Sequence, residues 1–180
     1  PRRNRAGGRP NMTLQTPHLV MRAPEPGDWM AFHDFMMSDR AGAFDSNNDL
    51  GKTWRAFASE LGHWQIFGYG MWAVTLRGDN DCVGLVGPWT PPDWPETEIG
   101  WMMFDPKIEG EGGATEAADA AVKHAYDVLG WRTAVSYIAH DNARSIRLAE
   151  KLGAKLDVAA TGPTPTTLVY RHPVPKGVHL

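Results

Sequence analysis

The chain has one cysteine, Cys82, in 180 residues, so no internal disulfide framework can staple its fold. That fits a reducing, cytoplasmic setting. No apolar run approaches the roughly 20 residues that a membrane-spanning helix needs, so no membrane partner is expected. Nor does the start of the chain read as the apolar core of a signal peptide. Histidine and cysteine do not cluster at metal-ligand spacing, and no metal is expected. Formal net charge is only −3, which supplies no global field for nucleic acid. A Gly-Lys-Ser/Thr ending is missing, which excludes a P-loop. Thr115 stands where a dinucleotide fingerprint needs its third glycine, which argues against that class too.

Hydrophobic residues make up 42% and charged residues 22%, an ordinary balance for a globular domain with a full core. Arg2, Arg3, Arg5 and Arg9, set among glycine and proline, read as a disordered basic tail over residues 1–11. Met12 follows it and is a candidate native start. Residues 12–180 read as one domain, with no repeat and no long linker.

Residues 19–21 read as a strand closed by a proline turn, and Asp28 as the N-cap of a helix carrying Trp29, Phe32, Phe35 and Met36. A second helix is expected over 53–61, with Trp54, Phe57 and Leu61 on one face. Strands are expected at 71–76, 82–86, 98–104, 133–138 and 167–171. A long helix should run from Gly113 to Leu129, packing through Ala114, Ala117, Ala121, Ala125 and Val128. Another should run from Asn142 to Leu152 and stop at Gly153. Strands come first and then alternate with helices, so the fold class is mixed α/β.

The most informative segment is Gly110-Glu111-Gly112-Gly113-Ala114-Thr115-Glu116-Ala117, between a strand-like run and the long helix. A glycine turn at a helix N-terminus presents free backbone N–H groups and partial positive charge, which suits a phosphate or pyrophosphate. Lys107-Ile108-Glu109-Gly110-Glu111-Gly112 resembles the Gln/Arg-x-x-Gly-x-Gly/Ala signature of the GNAT-superfamily N-acetyltransferases. Residues Gly112 to Ala117 are similar to the Gly-x-Ala-Thr-Glu-Ala of its ribosomal-protein N-terminal acetyltransferase branch. Asn142-Ala143-Arg144-Ser145 and Glu150-Lys151-Leu152-Gly153-Ala154 resemble that branch's second motif. Leu19 to Arg22 resembles its opening strand, and Glu98 to Trp101 its fourth. The likeness spans about residues 13–171.

This resemblance implies a central, mostly antiparallel mixed sheet, splayed around acetyl-CoA and flanked by helices. It implies acetyl transfer to a primary amine, either a peptide N-terminus or a small amine, by direct attack in a ternary complex. It puts the cofactor on Met103, Phe104, Lys107, Gly110, Glu111, Gly112, Gly113, Ala114, Thr115 and Asn142. Glu98 becomes a candidate base and Ser145 a candidate donor to the leaving thiolate. Each has a plainer reading, as a paired strand carboxylate and a helix-start serine. Trp89 and Trp94, in the proline-rich segment 88–95, are candidate walls of the acceptor pocket. A packed lid or a homodimer contact would use the same residues. Glu109 and Glu111 depart from the family's basic loop and would repel a pyrophosphate. They keep open a catalytically silent, acyl-CoA-binding module as an alternative.

Overall fold

The computed structural model describes residues 12–42, 44 and 48–177. The tail expected over 1–11 lies outside them. In chain order the elements are β1 (Leu14–Gln15), β2 (Leu19–Arg22), α1 (Trp29–Met36), α2 (Leu50–Phe67), β3 (Trp72–Leu76), β4 (Gly84–Trp89), β5 (Glu98–Met103), α3 (Pro106–Gly110), α4 (Gly113–Asp127), β6 (Val135–Ala139), α5 (Ala143–Lys151), β7 (Lys155–Leu156) and β8 (Thr167–Arg171). The strands form one sheet in the order β1-β2-β3-β4-β5-β6-β8-β7. All neighbours are antiparallel except β5 and β6, which run parallel and pair only at Glu98 and Val135. Beyond that pair the two strands part. This is the splayed α/β sheet that the sequence motifs imply.

Helix α4 lies on the sheet because its inner face is almost bare of side chain. Ala117, Ala121 and Ala125 are fully covered and pack with Trp72, Val86 and Ile99. Small residues let a helix approach a sheet closely, and the covered area drives the docking. The expected stripe stops at Ala125, since Val128 is exposed just past the helix end. His124 is buried edge-to-face against Trp72 at 5.0 Å. The opposite face of the sheet is covered by α1 and α2 through Phe32, Phe35, Met36 and Phe57.

Two local readings change. Asp28 does not cap α1 with its side chain; it accepts two hydrogen bonds from Arg22, both at 2.8 Å, and one from the Glu25 N–H. It therefore pins β2 to the start of α1. Helix α2 is longer than expected, capped by Asp49 and ended at Gly68 in a left-handed conformation. Its buried stripe is Thr53, Phe57, Glu60 and His63, while Trp54 faces outward. Polar residues on a covered face are costly unless something is done with them. Among the described residues, no helix is long and apolar enough to cross a membrane.

Candidate active site

Two cavities meet where β5 leaves β6. The first, about 430 Å³, lies between β5, α3, the start of α4 and α5. The second, about 480 Å³, lies under α1 and α2 and reaches β6 and the 163–167 loop. Both are lined by Phe44, Trp101, Met102, Asn142 and Ser145. A thioester held at this junction would be open to a nucleophile from the other side.

The first cavity has features that suit an anion. Gly110 borders it, and a Cβ built there meets no heavy atom within 4 Å. Gly112 sits at φ +81 with the same open space, and Gly113 opens α4 where a Cβ would strike Ile108 Cγ1 at 2.5 Å. The turn is therefore held to glycine by strain at one position and by packing at the next. The first turn of α4 offers N–H groups with no intrahelical acceptor. Arg40, Arg144, Arg147 and Lys151 border the same cavity. Glu109 accepts from Arg40 at 2.8 Å and lies 3.6 Å from Arg144. Its charge is thus balanced by the guanidinium groups around it.

In the second cavity, Glu98 stands at the start of β5, buried, and accepts a hydrogen bond from the Trp94 indole at 2.5 Å. Burial pushes its carboxyl up to about 7, against the smaller lowering effect of that indole. Trp89 lines the cavity and stacks on His63 at 4.8 Å. His63 bonds the Tyr69 carbonyl through Nδ1 at 2.7 Å and accepts the Thr90 N–H at Nε2 at 3.0 Å. That pattern needs the neutral ring with its proton on Nδ1, and burial lowers its pKa accordingly. His63 therefore fixes the tryptophan wall and is not free for acid–base work.

At the junction, the Asn142 side chain caps α5 by accepting the Ser145 N–H at 3.1 Å. The Ser145 hydroxyl accepts from the Trp101 indole at 3.1 Å. With an oxygen lone pair so occupied, the hydroxyl hydrogen is left to donate elsewhere.

A family model described as an acetyltransferase (GNAT) domain matches residues 18–155. The chain belongs to the GNAT acetyltransferase family. An acetyltransferase from Agrobacterium tumefaciens str. C58 is 36% identical over 92% of this chain and 99% of its own, with a TM-score of 0.83. A GNAT-family acetyltransferase from Bacillus anthracis is 23% identical over 89% of this chain and 96% of its own, at 0.69. RimL, a ribosomal L7/L12 alpha-N-protein acetyltransferase, is 18% identical over 89% and 92%, at 0.68. The last two share the fold.

In this GNAT enzyme the residues picked out from sequence divide clearly. Met103, Gly110, Ala114, Thr115, Asn142 and Ser145 line the first cavity, and Trp89, Trp94 and Glu98 the second. Lys107 and Glu111 are exposed and border neither cavity. Phe104 packs on Phe35 at 4.9 Å and gives its N–H to Val83, which leaves it as support for the wall. Gly112 and Gly113 act through the shape of the turn. Sequence reasoning missed Trp101, Glu60 and the cations Arg40, Arg147 and Lys151.

Trp89→Ala is expected to raise the acceptor KM by roughly 5- to 100-fold, the scale of about 1–3 kcal/mol of lost aromatic contact. The dissociation constant of acetyl-CoA should hold, because Trp89 borders only the second cavity. Steady-state kinetics and calorimetry check the split.

Proposed function

We propose that this acetyltransferase moves an acetyl group from acetyl-CoA to a primary amine by direct attack in a ternary complex. The observation that supports this reading is the meeting of the two cavities at Trp101 and Ser145. The turn at Gly110, the first turn of α4, and Arg144, Arg147 and Lys151 would hold the phosphates. Bound there, acetyl-CoA supplies an activated thioester. Glu98 would take the proton from the incoming amine, and a carboxyl near neutrality is matched to that task. Ser145 would donate its hydroxyl hydrogen toward the departing sulfur.

Neither Cys82 nor Ser145 is a good candidate for a covalent acetyl-enzyme. Cys82 is buried, its thiol pushed up to about 12 by desolvation, and it borders neither cavity. Ser145 has only an indole N–H beside its oxygen, which is a donor and no base.

Bisubstrate kinetics test the reading. Lines that intersect in double-reciprocal plots, with no acetyl on the protein after acetyl-CoA alone, are the expected result. Parallel lines with an acetylated protein would overturn it. Binding is checked separately. Acetyl-CoA should raise the melting temperature by mass action, on the order of 2.7 kcal/mol of stabilisation at 100 times Kd. Gly110→Phe, which fills open space without left-handed strain, should abolish the shift while the unliganded melt stays put. A normal shift in that variant would remove the cofactor from this cleft.

A further inference from the structure

Glu60 is a carboxylate with no evident structural reason to be where it is. It lies on α2, only 4% exposed, and borders the second cavity. Its Oε2 is buried with no hydrogen-bond partner. Leaving such a group unpaired costs a protein several kcal/mol, on the order expected for an uncompensated buried polar or charged group. No lysine or arginine borders this cavity among the described residues. His63, one turn further along α2, has both nitrogens committed to backbone groups. Thus nothing in the described wall answers Glu60. Burial, with the nearby charge of Glu98, pushes its carboxyl well above the usual range. It stands ready to ionise when a positive group enters.

The surrounding wall favours such a group. Trp89, Trp94, Trp101 and Tyr137 line the same cavity, and aromatic faces attract desolvated cations. Glu98 accounts for the reacting nitrogen, which must arrive there neutral or lose its proton. Glu60 is then left for a second one. We infer that the acceptor is a compact amine with a second, cationic nitrogen, and that Glu60 is the residue that receives that second charge. This rests on the reading of the second cavity as the acceptor site.

The test uses two amines of matched shape, para-xylylenediamine and para-methylbenzylamine, which differ by the second ammonium. Quenching of the cavity tryptophans gives an affinity for each, with no need for turnover. The unaltered protein should bind the diamine roughly 10- to 100-fold more tightly, the scale of one charge-assisted hydrogen bond. Glu60→Gln, nearly isosteric, and Glu60→Met, which keeps the volume, should each bring that ratio close to one. Equal affinity in the unaltered protein, or a ratio that survives both substitutions, would overturn the inference. Coenzyme A release in the same samples separates the two levels. A Glu60-dependent diamine preference without thiol release would uphold this assignment and sink amine acetylation. Release from both amines at equal affinity would do the reverse.

Discussion

Glu98→Gln is expected to lower kcat/KM for the acceptor by roughly 100- to 10,000-fold, the range of a positioned general base. The sign of the pH dependence follows from the carboxyl, which burial holds at about 7. A base works unprotonated, so the rate of the unaltered enzyme climbs as pH rises through that value. In the variant the climb should vanish, leaving a low profile set by free amine in solution. Trp94→Phe offers a finer test. The Trp94 indole lowers the Glu98 pKa by favouring the carboxylate, so its removal should move the climb to higher pH. A Glu98→Gln enzyme with an unaltered profile would return Glu98 to a structural role.

The second large effect is on Ser145. Ser145→Ala should lower kcat by roughly 10- to 1000-fold, with the KM for acetyl-CoA little changed. The fold should not suffer. Asn142 caps α5 through the backbone N–H of residue 145, which alanine retains. What is lost is the hydroxyl hydrogen at the junction, together with the acceptor for Trp101. Single-turnover rates with enzyme in excess locate the loss in the chemical step, and a rate near that of the unaltered enzyme would reject the role.

The fold was readable where periodicity and punctuation agree. Thr167–Arg171 emerged with the boundaries expected, and α4 and α5 within two residues, since alanine spacing, Asn142 and Gly153 mark them. Helix α3 was not seen, because Pro106 to Gly110 is five residues with two helix breakers and no period to detect. The site was legible in its motif-borne parts, the glycine turn and the Asn142 helix start. Its cations were not. Arg40 precedes α2, while Arg147 and Lys151 lie a turn apart on α5, and only the sheet brings them to one cleft. Glu60 was hidden for a different reason. On a helix, a glutamate is expected to face water, and only the observed stripe from Thr53 to His63 turns it inward.

The single pair at Glu98 and Val135 makes the sheet two leaves joined at one end. The larger leaf, β1 to β5, is antiparallel throughout. The smaller, β6, β8 and β7, is tied on through Ser136 to the Ile99 carbonyl, Thr97 to the Thr133 carbonyl and Arg171 to Glu96, all close to that same end. No backbone ladder has to break for the far ends to separate. Opening of the junction and global unfolding are thus distinct events with different free energies. Amide exchange should show it as earlier loss of protection on β6 and β8 than on β3 and β4, with a ligand that spans both leaves bringing the two rates together.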